Sequence, residues 1–148
     1  MSAKTIRDID VIRTFVLQGT LNFTRYFFKI RQKRKFVVGK HHREIAAALD
    51  KVLCGEITRL IINIAPRYGK TELAVKNFIA EGLAINPKAK FIHLSYSDDL
   101  ARDNSRGVQD IINEPEYRRI FPATIPTSTN TKTVSYTHLR AHETRRHL

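Results

Sequence analysis

Apolar positions in the first part of the chain recur at helical spacing. Ile9, Ile12, Phe15 and Val16, then Phe23, Tyr26, Phe27 and Ile30, line up with a break at Gly19-Thr20. The pattern predicts helical segments between residue 6 and about residue 34. Residues 41–53 repeat the period, with Ile45, Leu49 and Val52 on one face and Gly55 placed to end the helix. The period then changes. Residues 59–65 (RLIINIA) are a short β-branched run closed by Pro66, as expected of a strand buried in a parallel sheet. Helical spacing returns over residues 71–86 through Leu73, Phe78, Ile79 and Leu83, and Asn86-Pro87 stops it. Residues 90–96 (KFIHLSY) read as a second strand, and Ser97-Asp98-Asp99 opens a helix reaching about Asn113. Strand, helix, strand, helix predicts an α/β fold with a right-handed crossover in a parallel sheet, behind a helical lead-in.

The first predicted strand meets the next helix at Pro66-Arg67-Tyr68-Gly69-Lys70-Thr71, the context a phosphate-binding loop requires. Gly69 lets the backbone approach an anion, Lys70 supplies a point charge for β/γ phosphates, and the Thr71 hydroxyl can ligate Mg²⁺. The helix that starts here points its free N–H groups and positive dipole end at the same place. The match to G-x-x-x-x-G-K-[ST] is partial, because Ile64 stands where the leading glycine belongs. A strand-turn-helix connection with an exposed lysine would also carry Gly-Lys-Thr, but it does not account for Pro66, Arg67, Gly69, Lys70 and Thr71 crowding into one turn.

Composition widens the picture. The chain has 148 residues, is 42% hydrophobic and contains eight Phe and five Tyr, enough for one domain with its own core. A net charge of +12 suits a polyanionic partner, although a basic surface without one fits as well. Cys54 is the only cysteine, so an internal disulfide is excluded. No apolar run reaches the ~18 residues of a membrane span, and no secretory h-region opens the chain. A cytoplasmic location is expected.

Several residue groups carry two readings each. Residues 29–35 (KIRQKRK) hold five basic residues in seven, beside Tyr26, Phe27, Phe28 and Phe36. They read as contacts to DNA phosphates or as a solvated helix face. His41-His42 reads as a helix start or as a neighbour of an adenine base. Asp98-Asp99 fits helix capping better than a Mg²⁺-holding Walker B pair. His93 reads as a packed histidine.

Residues 134–148 (VSYTHLRAHETRRHL) depart from everything before them. They carry three of the six histidines and no hydrophobic period. VSYTHLRAHET also matches, over eleven consecutive residues, the translation of a transposase-type sequencing adapter. On that reading His138, His142 and His147 are not a metal site, and the natural protein continues past Lys132. The chain then divides into a helical lead-in (1–40), part of a P-loop ATPase domain (41–133) and an adapter-derived tail (134–148).

Residues 41–74 and 91–122 resemble the N-terminal ATPase region of the large terminase subunit of tailed bacteriophages. The resemblance rests on His41-His42, Gly55-Glu56, Ala65-Pro66-Arg67-Tyr68-Gly69-Lys70-Thr71, Ser95-Tyr96-Ser97, Leu100-Ala101, Ser105-Arg106 and Phe121-Pro122, in that order. That family also has Pro-Arg in place of early glycines. The resemblance implies an ATP-driven motor that threads double-stranded DNA into a prohead in the host bacterial cytoplasm. Its implied partners are a portal and a small terminase subunit, in a homo-oligomeric ring. ATP·Mg²⁺ would sit at Pro66, Arg67, Tyr68, Gly69, Lys70, Thr71 and Glu72. Lys70, Arg67 and Thr71 would be the catalytic set, with Thr71 on the metal. The Walker B carboxylates, the catalytic glutamate and a C-terminal nuclease would lie beyond residue 133, so no ATP turnover is expected of this chain alone. Another P-loop ATPase, such as a helicase-type DNA translocase, and a basic DNA-binding module without ATPase activity are the alternatives.

Overall fold

The computed structural model describes residues 3–124; the tail expected over residues 134–148 lies outside them. Helix α1 is Ala3–Val16, α2 Thr20–Gln32 and α3 Lys40–Leu53. A π-helical segment, Glu72–Asn77, runs into α4, Phe78–Ile85. Helix α5 is Asp98–Asn113, α6 is Pro115–Ile120, and a 3₁₀ turn covers Pro122–Thr124.

The helix ends follow from local chemistry. Helix α2 begins after Gly19, and its first free N–H, on Thr20, donates to Asp50 Oδ1 of α3 at 2.8 Å, so one helix caps another. Gly55 has φ 78° after α3. Its N–H donates to Val52 O at 3.1 Å and that of Glu56 to Lys51 O at 2.9 Å, a Schellman stop that favours glycine. Helix α6 opens on Pro115, where a missing N–H costs nothing.

Two apolar clusters hold these helices together. The larger joins Val16, Phe23, Phe27, Ala80, Ala84, Ile111, Tyr117, Ile120 and Phe121, uniting α1 and α2 with α4, α5 and α6. Phe23, Phe27, Tyr117 and Phe121 are at most 1% exposed, and burial of each such side chain contributes roughly 1.5–3 kcal/mol. The Tyr117 hydroxyl, deep in this cluster, donates to Ala80 O at 2.8 Å. The smaller cluster packs Ile45, Leu49 and Leu73 against Ile62, Ile64, Ala74 and Phe78, and it seats the loop that precedes the π segment.

The expected α/β fold with a parallel sheet is not what forms. The described residues are helical and contain no strand. Residues 59–65 and 90–96 form neither helix nor strand, and no backbone–backbone hydrogen bond joins them to each other or to any described residue. A β-branched run favours an extended backbone; a strand also needs a neighbour about 4.8 Å away to complete a ladder. Burial is one-sided as well. Ile62 and Ile64 lie against the smaller cluster, whereas Ile61 is 92% exposed and Ile92, Leu94 and Tyr96 are 83–95% exposed. A strand inside a parallel sheet would be covered on both faces.

Candidate functional site

The residues of the predicted phosphate loop do form one turn. Pro66, Arg67 and Tyr68 are exposed and Gly69 is half-buried, at the head of the helix that starts at Lys70. Arg67 has φ 68° and Gly69 φ 72°. The left-handed region costs a non-glycine residue roughly 1–2 kcal/mol, so Arg67 is held there by its surroundings. Gly69 has a second reason to be glycine: a Cβ there would stand 2.9 Å from His42 Nε2.

His42 holds this turn from below. It is 7% exposed. Its Nδ1 accepts the Gly39 N–H at 2.9 Å, and its Nε2 lies 2.9 Å from the Tyr68 carbonyl oxygen. Burial pushes the imidazole below its ordinary pKa, and His41 adds to the effect, while the Tyr68 carbonyl opposes it. The Phe36 ring packs against His42 at 4.9 Å and the Tyr68 ring against His41 at 5.4 Å.

Around the turn lies an open cleft of about 390 Å³, whose walls include Arg34, Lys35, Arg67, His41, Phe36 and Tyr68. Among the described residues, three permanent cations line it and no carboxylate does. The basic run of residues 29–35 therefore meets the loop, a juxtaposition that sequence separation hides. Arg34 also stacks over Phe28 at 5.7 Å.

Lys70 Nζ lies 3.5 Å from Ile64 O, a long contact to the carbonyl at the position of the absent leading glycine. Thr71 is half-buried. Glu72 is engaged elsewhere: its Oε1 accepts from Arg31 Nη1 at 3.0 Å and Asn77 Nδ2 at 3.1 Å, and Oε2 lies 3.8 Å from Lys76 Nζ. Asn77 Nδ2 also donates to Glu72 O at 2.7 Å, bridging the wide π turn with a side chain. Glu72 thus ties the loop helix to α2.

Asp98 and Asp99 occupy the exposed first turn of α5, where carboxylates complement the helix dipole. Ser97 precedes them without a side-chain capping bond. His93 Nε2 is 3.0 Å from Asn104 Nδ2; the amide donates, so this histidine is packed and paired. No group of three or more His, Cys, Asp or Glu side chains that could hold a metal occurs among the described residues. No helix among them is long and apolar enough to cross a membrane.

Two features escaped the sequence reading. The Arg31–Glu72 pair joins residues 41 apart, and neither position carries a local signal for it. Glu81 is 1% exposed, and burial raises its carboxyl to about 8, with nearby Asp50 adding to the rise and Thr20 opposing it. An acid on the apolar side of α4 was the available clue. Comparison with protein-family models, curated proteins and solved structures yields no match for this chain.

Proposed function

We propose that the turn at residues 66–71 and its cleft bind the phosphates of ATP, and that the chain belongs to an ATP-driven motor for packaging double-stranded DNA. The observation that carries the nucleotide part is the convergence of Arg34, Lys35 and Arg67 beside a turn with two left-handed residues at a helix start. Such a turn is a concave set of donors for an anion. Lys70 leaves its weak contact with Ile64 O to meet β/γ phosphates, and Arg67 supplies a second cation. A Cβ at Gly69 would meet His42 Nε2 at 2.9 Å, so only glycine lets the turn settle on the imidazole.

Magnesium fits only as a passenger of the nucleotide. Thr71 offers one hydroxyl, and Mg²⁺ commonly keeps water and phosphate oxygens as its remaining ligands. When bound, the ion neutralises phosphate charge. The motor reading rests on the ordered terminase-like motifs and on the basic surface. The portal, the small subunit and the ring assembly come with that reading.

The deciding experiment is MgATP binding to the full chain by calorimetry, alongside Lys70→Ala and Arg67→Ala. The expected result is binding that weakens at least tenfold in each variant, about 1.4 kcal/mol or more. Salt-sensitive DNA binding with no ATP binding would instead favour a basic DNA-binding module.

A further inference from the structure

We propose that His42 is the positioning residue of the loop, and that it acts as a neutral imidazole carrying its proton on Nε2. The ligand part of this inference rests on the nucleotide reading above; the histidine geometry stands without it. The tautomer is fixed from both sides by backbone. The Gly39 N–H can only donate, so Nδ1, 2.9 Å away, is unprotonated. The Tyr68 carbonyl can only accept, so Nε2, also 2.9 Å away, bears the proton. His41 Nε2, at 3.2 Å, accepts a share of the same proton.

The consequence lies in the peptide plane between Tyr68 and Gly69. In a trans peptide the C=O and N–H point to opposite sides. Holding the Tyr68 oxygen on His42 turns the Gly69 N–H away from the imidazole, free to meet an anion. Released, that plane can rotate and present a carbonyl oxygen to the same anion. The absence of a side chain at Gly69 is what lets the ring come so close, because a Cβ would lie 2.9 Å from Nε2. His42 thus connects the start of α3, through Gly39, to the one peptide that decides whether the turn offers a donor or an acceptor.

Burial holds the ring below its ordinary pKa, and His41 beside it adds to the effect. His41 faces it from α3, Arg34 and Lys35 line the shared cleft from the segment after α2, and Arg67 lines it from the loop. No carboxylate among the described residues lines that cleft. A proton added at Nδ1 would set N–H against the Gly39 N–H and break the ring's tie to the start of α3, while Nε2 keeps its proton on the Tyr68 oxygen.

The test uses the full chain labelled with ¹⁵N. A long-range ¹H–¹⁵N spectrum near pH 7.5 is expected to show His42 as the Nε2–H tautomer; an Nδ1–H or averaged signal overturns the proposal. Sulfate is then titrated at pH 7.5 against the Gly69 amide in the parent and in His42→Asn. The parent is expected to bind about tenfold more tightly, the worth of one hydrogen bond, and equal binding overturns the proposal. For MgATP, His42→Gln, which keeps a donor near Tyr68 O, is expected to bind within about threefold of the parent. His42→Asn, too short to reach it, is expected to bind about tenfold more weakly, the worth of one hydrogen bond. Equal binding by His42→Asn and the parent overturns the positioning role. If the parent binds no MgATP, the nucleotide reading fails, while the tautomer and sulfate measurements still decide the role of His42.

Discussion

Glu81 is the residue at which the chemistry of the core is most exposed to pH. Its Oε2 and the Thr24 hydroxyl are buried without a hydrogen-bond partner among the described residues, and its carboxyl is raised from 4.5 to about 8. The folded state therefore prefers the protonated acid. That preference is fully expressed below the unfolded value, and stability falls as pH rises from about 4.5 through about 8. Each pH unit in this window carries about 1.4 kcal/mol, so the loss amounts to a few kcal/mol. Glu81→Gln removes the charge and keeps the shape. Urea unfolding at pH 5 and pH 8.5 is expected to show the variant near the parent at the lower pH and more stable at the higher one. Gly69→Ala probes a different strain. Its methyl meets His42 Nε2 and must adopt a left-handed φ, so the same measurement should show a loss of about 1–2 kcal/mol.

At the scale of elements, residues 59–65 and 90–96 behave unlike the helices. Ile61, Ile92, Leu94 and Tyr96 stand in solvent on backbones without ladder partners among the described residues, and unpaired apolar edges invite pairing with other chains. Leu94→Lys together with Ile92→Lys is expected to reduce concentration-dependent association in sedimentation, with the helical circular dichroism unchanged. Unchanged association would mean that these segments are not the contact. The same elements explain what was legible in the sequence. The α3 pattern of Ile45 and Leu49, with its stop at Gly55, is local information, and the helix forms where the period places it. Gly19 likewise separates α1 from α2. The turn at 66–71 was legible because one short stretch of sequence builds it. The sheet was not, because RLIINIA specifies an extended backbone and says nothing of the neighbour that a strand requires. The π segment was also hidden, since it depends on Asn77 reaching back to Glu72 and on Arg31 from another helix.

For the whole molecule, the net charge of +12 matters through where the cations meet. Lys29, Lys33, Arg34 and Lys35 are exposed, and two of them reach the cleft of the loop, where Arg67 joins them. A DNA backbone lying along the basic run would therefore draw on cations that a nucleotide also needs. Double-stranded DNA binding by the full chain is expected to weaken steeply with salt, since each neutralised phosphate contributes a slope near −0.9 in log–log form. Replacing Arg34 and Lys35 by alanine should make that slope shallower by about 1–2, with affinity falling uniformly across DNA sequences. MgATP should compete for the same cations, lowering DNA affinity in the parent and much less in the double variant. Fluorescence anisotropy with labelled duplex, at several salt concentrations with and without MgATP, reads both effects. If MgATP leaves DNA affinity unchanged while binding tightly itself, the two polyanions occupy separate surfaces and Arg34 and Lys35 serve only one of them. If DNA binding ignores Arg34 and Lys35 altogether, the basic run is a solvated end of α2 and of the segment after it, and the attraction must come from cations elsewhere on the chain.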